Sequence, residues 1–295
     1  MPQIQAVFFD MGGTIETYWF DRDLRLKATP AVQQRLREAG IDLGLDTQAL
    51  YEVIDAGLER YKTWKDASLI ELHADEVWRD FILREYTVDP ERLASAAEDL
   101  MFILDMQYYA RKMRPEIPRV LEALKGMGLK LGVISNIVSC GQVPTNLEKY
   151  GIRDYFDPVV LSCEYGRRKP DPAIFHYAAR LANVPAGRCV YVGDSTSQDI
   201  CGAHRAGFRY AIQIHNEFTG CEECEDDPEA VPDLYIERMD DLVDFIAARL
   251  EPAREVAQPP DGQDGHVSAL LFDAGDVLYY RPGRGQRLGQ FLREL

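Results

Sequence analysis

Asp10 ends an apolar run, Ala6-Val7-Phe8-Phe9, and is followed at once by Met11-Gly12-Gly13-Thr14. An acid at the tip of a buried strand, met by a turn too small to shield it, is placed to react or to bind. Three further stretches carry residues of similar promise. Ser135-Asn136 closes the run LKLGVIS, and Arg168-Lys169-Pro170-Asp171-Pro172 sits ahead of a helix. Gly193-Asp194-Ser195 closes CVYVGD, with Asp199 a turn beyond. Carboxylates such as Asp10, Asp194 and Asp199 can act as nucleophiles or hold a hard cation. A lysine, a serine hydroxyl and backbone amides beside glycine can hold an anion of phosphate size. Each residue also has an ordinary reading: Asp10 as a turn cap, Ser135 as a strand-end hydroxyl, Lys169 as a solvated charge, Asp194 as the cap of the next helix. Those readings must coincide four times to empty the set of chemistry, which favours the functional reading of the group. His73, His176, His204, His215 and His266 show no ligand spacing and read as structural or surface residues.

The elements that position these residues follow from periodicity. The run ending at Asp10 is continuously apolar, as in a parallel strand buried on both faces. From about Thr29 to Met113 the pattern is helical. Thr29-Pro30 reads as an N-cap followed by proline at the first helical position, with Gly40 as the C-terminal cap. Leu50, Val53, Ile54, Gly57, Leu58 and Tyr61 share one helical face, Val77, Phe81 and Ile82 mark another helix, and Asp89-Pro90 caps a fourth. These stripes read as the inside of a helical bundle. Beyond Pro115, helices alternate with strands at 129–135, 158–161, 189–194 and 209–214. Five strands with helical crossovers predict an α/β fold, a doubly wound, Rossmann-like parallel sheet. The helical stretch is then an insertion (17–113) in a core made of 1–16 and 114–250, placed over the carboxyl ends of the strands. A linker (251–266) follows. Ala269-Leu270-Leu271-Phe272-Asp273-Ala274-Gly275 then repeats the shape of Ala6–Gly12, 263 residues on, so that 267–295 reads as the start of a second copy of the core.

A hydrophobic content of 46% with 28% charged residues suits a globular chain with a sizeable core. The net charge of −16 argues against a nucleic-acid partner, because phosphate backbones require a basic surface. No apolar run is long enough to span a bilayer, and the first residues lack the basic segment of a secretory leader. The six scattered cysteines read as reduced thiols, so a cytoplasmic location without membrane attachment is expected. Cys221 and Cys224 form a CxxC with an acidic filling and no second ligand pair, which reads as a solvated loop.

In this order, the four stretches resemble the haloacid dehalogenase superfamily, a large group of Mg²⁺-dependent hydrolases that work through an aspartyl phosphate. The resemblance covers about residues 4–250 and includes a helical C1-type cap inserted between the first and second motifs. It implies Asp10 as nucleophile, with Lys169 pairing with both nucleophile and phosphate. Met11, Gly12, Thr14, Ser135 and Asn136, together with Lys169, would surround the phosphate. Asp10, the Gly12 carbonyl, Asp194 and Asp199 would serve Mg²⁺. The implied activity is hydrolysis of a small phosphorylated metabolite. A C–P or C–halogen hydrolase on the same scaffold is the alternative enzyme, although dehalogenases do not need the carboxylate of Asp194. A binding or regulatory protein with weakened catalysis is the alternative from another class. Phosphonate cleavage in the family uses a cap lysine; Lys62 and Lys65 lie in the cap stretch and read as solvated helix residues.

The chain departs from the family pattern at Gly12, where phosphatases of the group carry a second aspartate. That acid protonates the leaving group and activates the attacking water, a contribution of ~10²–10⁴-fold in rate. Metal binding through the backbone carbonyl survives the change to glycine. Slow turnover of poor leaving groups is therefore expected, unless Glu16, Tyr18 or a cap residue supplies the proton.

Overall fold

The computed structural model describes residues 4–217 and 228–250. Cys221, Cys224 and the repeat at 267–295 lie outside the described residues. The chain begins with β1 (Ala6–Phe9), then β2 (Glu16–Trp19). There follow α1 (Arg22–Glu38), α2 (Thr47–Ser68), α3 (Ala74–Val77), α4 (Pro90–Gln107) and β3 (Ala110–Met113). Alternation then sets in: α5 (Ile117–Gly126), β4 (Lys130–Ser135), α6 (Gln142–Lys149), β5 (Val159–Leu161), α7 (Ser162–Tyr165), α8 (Pro172–Leu181) and β6 (Cys189–Gly193). The described chain closes with α9 (Cys201–Arg205), β7 (Tyr210–Ile214), β8 (Leu234–Ile236) and α10 (Met239–Ala247).

Six strands form one parallel sheet in the order β5-β4-β1-β6-β7-β8. β1 is buried on both faces because its alternate side chains feed two cores. Val7 and Phe9 pack with α5 and α10 residues such as Leu121, Leu124 and Leu242, whereas Ala6 and Phe8 pack with Phe175, Ala178 and Phe208. The doubly wound fold expected from the pattern is therefore the fold of the chain, with one strand more than the five expected. The extra strand, β8, has three residues and lies at the sheet edge with Tyr235 exposed, so it carries too short an apolar run to be read from pattern.

Residues of α1 to α4 bury a separate apolar cluster built on Val32, Leu50, Ile54, Trp78, Leu100 and Leu104. The two chain crossings between this helical block and the sheet pair with each other: β2 and β3 are antiparallel, with Tyr18 opposite Arg111. The periodicity gave no sign of this ribbon. The start of the first helix also differs from expectation. Asp21 caps α1, its Oδ1 accepting the Leu24 N–H at 2.7 Å, and Pro30 lies inside the helix. Thr29 is fully buried instead of capping; its hydroxyl donates to the Arg25 carbonyl at 2.9 Å and meets the Tyr108 hydroxyl at 2.8 Å. Tertiary packing of this face outweighs the rung that proline leaves open. The caps expected at Gly40 and Asp89-Pro90 are in place, and the helix expected after Arg168–Pro172 is α8, capped by Asp171. Among the described residues no helix is long and apolar enough to cross a membrane.

Candidate active site

The sheet order reverses around β1: the chain passes to β4 and β5 on one side, then to β6 on the other. A crevice opens outside the carboxyl ends of strands at such a reversal. Asp10 follows β1, Ser135 ends β4 and Asp194 follows β6, so all three reach its mouth. They line a cavity of about 440 Å³ together with Met11, Gly12, Asn136, Lys169 and Asp199. Two glycines make the approach possible. Gly13 has φ +85°, and a β-carbon there would lie 2.1 Å from Asp194 Oδ2. A β-carbon on Gly193 would lie 2.3 Å from Asp199 Oδ2. Any larger residue would push these carboxylates out of place.

Lys169 sits at the centre of the acidic floor. Its Nζ donates to Asp10 Oδ1 at 2.7 Å, to Asp199 Oδ1 at 2.6 Å and to the Tyr191 hydroxyl at 2.8 Å, which uses all three protons. The Tyr191 hydroxyl donates to the Ile134 carbonyl at 3.0 Å, a partner in the second buried layer of the sheet. Asn136 clamps the Lys169 backbone: its Oδ1 accepts the N–H at 2.9 Å and its Nδ2 donates to the carbonyl at 3.0 Å. Asp199 Oδ2 accepts the Ser195 N–H, and Asp194 Oδ2 accepts from the Asn216 amide at 2.7 Å.

Three buried carboxylates face one ammonium, and the imbalance shows in protonation. Burial pushes Asp10 up to about 7; Lys169 opposes the shift, while Asp199 and Asp194 add to it. Burial works against the Lys169 charge, yet Asp10 and Asp199 hold its amine above the ordinary value. Asp10, Asp194 and Asp199 can each place one oxygen within 4.8 Å of the others. An all-oxygen, negatively charged, buried donor set of this kind fits Mg²⁺, whose charge would offset the burial, and then the carboxylate repulsion, that raise the Asp10 pKa.

The opposite wall comes from the helical block and its ribbon: Tyr18, Lys62, Lys65, Asp105, Tyr109 and Arg111 line the same cavity. Sequence reasoning set Lys62 and Lys65 aside as solvated; Lys62 is exposed as expected, yet the docking of α2 brings both to the cavity and half-buries Lys65. The ring of Tyr18 occupies the space beside Gly12. Burial, and then the charges of Asp194 and Asp10, push the Tyr18 hydroxyl up to about 12. Glu16 is not at the cavity. It is fully buried and accepts from Arg111 (2.6 Å), Tyr150 (2.7 Å), Asn146 (3.0 Å) and Gln142 (3.4 Å).

Of the residues singled out from sequence, Asp10, Met11, Gly12, Ser135, Asn136, Lys169, Asp194 and Asp199 come together around one cavity. Thr14 does not: it is fully buried, its hydroxyl has no partner among the described residues, and it is not on the cavity wall. Met11 turns its side chain into the apolar core. Tyr191 and Asn216 were missed. A tyrosine inside the strand CVYVGD is a readable signal, whereas an asparagine after β7 carries none.

A parallel sheet with acids at its central strand ends, and a lysine bridging two of them, defines a class of hydrolases. Residues 4–207 match the haloacid dehalogenase-like hydrolases, and the chain belongs to that family. It is 31% identical over 244 residues to the glyceraldehyde 3-phosphate phosphatase of Methanopyrus kandleri, a match that covers 82% of this chain and 97% of that protein. Among solved structures, a 2-haloacid dehalogenase from Pseudomonas syringae pv. Tomato DC3000 is similar with a TM-score of 0.57 and 25% identity, over 84% of this chain and 99% of that one. A HAD phosphatase from Thermococcus onnurineus shares the fold with a TM-score of 0.56 and 23% identity, over 84% of this chain and 100% of that one.

Proposed function

We propose that this chain is a Mg²⁺-dependent phosphomonoesterase acting on a small phosphorylated metabolite. The observation that carries the reading is the placement of Lys169 between Asp10 and Asp199, beside Asp194. Asp10 has one oxygen tied to Lys169, which leaves the other to attack phosphorus. The P–O bond to the alcohol breaks, and the phosphoryl group remains on Asp10 until water attacks phosphorus and frees phosphate. The Ser135 hydroxyl lines the cavity and is placed to donate to a phosphoryl oxygen, and Lys169 orients Asp10 and opposes the burial that raises its pKa. Bound Mg²⁺ would be held by Asp10 and Asp194, with Asp199 nearby and the Gly12 carbonyl as a further oxygen, and would supply positive charge against the phosphoryl oxygens. Names among similar proteins, including the Methanopyrus phosphatase, support the reaction class.

With glycine at position 12 and Glu16 fully engaged elsewhere, no carboxylate from the loop after Asp10 reaches the leaving group. Protonation falls to water, Tyr18 or the helical wall, so good leaving groups should react fastest. The decisive experiment is phosphate release from a panel of sugar phosphates, nucleotides and an aryl phosphate, with and without Mg²⁺. Absence of metal-dependent release from every ester would overturn the reading.

Lys65 favours one second reading. Burial, and then the charge of Arg168, push its amine down to about 8, and it lines the cavity that Asp10 enters. An amine of that kind can condense with an aldehyde, as C–P cleavage on this scaffold requires. Borohydride trapping of Lys65 by phosphonoacetaldehyde would select this reading. The C–halogen alternative gains nothing from a site with three clustered carboxylates.

A further inference from the structure

Two lysines on the helical wall of the cavity have no carboxylate at ion-pair distance among the described residues. Lys62 and Lys65 stand three residues apart on α2, a spacing that puts them on one helix face. Both line the cavity. The other cations of its wall are committed: Lys169 to Asp10 and Asp199, and Arg111 to Glu16 at 2.6 Å. Lys62 and Lys65 make no hydrogen bond and no ion pair among the described residues, and the contact Lys65 does make is with the Tyr61 ring, 5.3 Å from its centroid. The carboxylate on this wall, Asp105, acts on Lys65 through its charge without pairing with it, and accepts the Ser139 N–H. Lys62 is exposed at the cavity rim, whereas Lys65 is half-buried, and the Lys65 amine is pushed down yet remains a cation at neutral pH.

The half-buried Lys65 ammonium, with no carboxylate at pairing distance, costs free energy that a bound anion would return. A phosphoryl group at Asp10 is served by Lys169, which leaves the α2 lysines for the rest of the ligand. The lysines face whatever part of the ligand extends toward α2, and a cavity of about 440 Å³ has room for a metabolite reaching both walls. We propose that Lys62 and Lys65 form a second anion subsite, and that the substrate is a phosphomonoester bearing a further anionic group, a carboxylate or a second phosphate, away from the scissile ester. This rests on the phosphatase reading and narrows it to a substrate class.

The test uses the full chain with Mg²⁺ and three matched three-carbon esters: glycerol 3-phosphate, 3-phosphoglycerate and propane-1,3-diol bisphosphate. At least one of the two doubly anionic esters should exceed glycerol 3-phosphate in kcat/KM by about tenfold or more, the worth of one charged hydrogen bond. Which of the two does so separates a carboxylate from a phosphate ligand. In the double variant Lys62→Gln/Lys65→Gln that preference should fall by about tenfold, chiefly through KM. Lys125→Gln, an exposed change on α5, should keep it. Equal kcat/KM for all three esters, or a preference that survives the double variant, overturns the subsite. Should none of them, nor p-nitrophenyl phosphate, release phosphate, the phosphatase reading fails separately. The rise in Tm that each ester produces then decides the subsite: a rise specific to the doubly anionic esters and lost in the double variant upholds it, and equal shifts overturn it.

Discussion

The Tyr18 ring lies 3.5 Å from the point where a β-carbon on Gly12 would stand, an ordinary van der Waals contact. Gly12 does not have the positive φ that would strain a larger residue, so its backbone and surroundings accept a side chain. Gly12→Asp should therefore fold, and it restores a carboxylate two residues after Asp10. We expect turnover of an alkyl phosphate to rise by up to about 10²-fold, less than a fully positioned acid could add, because Arg111 Nη1 lies 3.9 Å from that β-carbon and competes for the new carboxylate. The wild-type chain should cleave aryl esters much faster than alkyl esters and show a burst at high enzyme concentration. Similar rates for both ester classes without a burst would mean that another group donates the proton.

Asp10→Asn removes the attacking oxygen and one charge from a floor that already holds an excess. Activity should fall by more than about 10³-fold, as expected when a covalent step is lost. Circular dichroism should be unchanged, and the melting temperature should not drop. Wild-type-like turnover by this variant would exclude covalent catalysis at Asp10.

Proton and cation compete for the same floor. Asp10 has a folded-state pKa of about 7 against 3.8 ordinarily, so between those values the folded state holds more protons than the unfolded one. Stability of the metal-free protein should then fall as pH rises from about 4 to 7, and level off above that range. Added Mg²⁺ takes the place of the proton and should raise the melting temperature more at pH 8 than at pH 5.5. A Mg²⁺ effect independent of pH would argue that Asp10 is not a ligand.

Glu71, just past α2, is the buried anchor between the helical block and the Lys169 loop. It accepts from the Tyr61 hydroxyl at 2.5 Å and the Ser162 hydroxyl at 2.6 Å, and pairs with Arg168, which is 4% exposed. Glu71→Ala leaves the Arg168 charge buried and uncompensated. Urea unfolding should show a loss of about 3–5 kcal/mol, with Glu71→Gln losing less because it can still accept hydrogen bonds. A loss below 1 kcal/mol would show that the pair is effectively solvated.

The chemistry-bearing residues on the core side were legible because each follows a local rule. Asp10, Ser135 and Asp194 end apolar runs, and a parallel strand buried on both faces reads as such a run whatever surrounds it. Asp171-Pro172 and Asp89-Pro90 are likewise visible, since capping needs only the residues beside it. Where a long-range contact competes with a local rule, the reading fails. Thr29 looks like a cap until Tyr108 claims its hydroxyl, and Thr14 looks like a phosphate ligand until the loop turns it inward. β8 and the β2–β3 ribbon exist because of partners distant in the chain.

The composition of the floor was thus determined by sequence alone: three acids, a serine and a lysine, of which Asp10, Ser135 and Asp194 stand at the carboxyl ends of parallel strands. The identity of the wall facing them was decided by tertiary structure. Nothing in the periodicity of α2 separates a lysine that meets the cavity from one that meets water, because that depends on how the helical block docks on the sheet. The same docking fills the space beside Gly12 with Tyr18 and engages Glu16 with Arg111, Asn146 and Tyr150. Strand ends are set by residues adjacent in the chain, whereas the cavity they open into is set by packing between residues about a hundred positions apart.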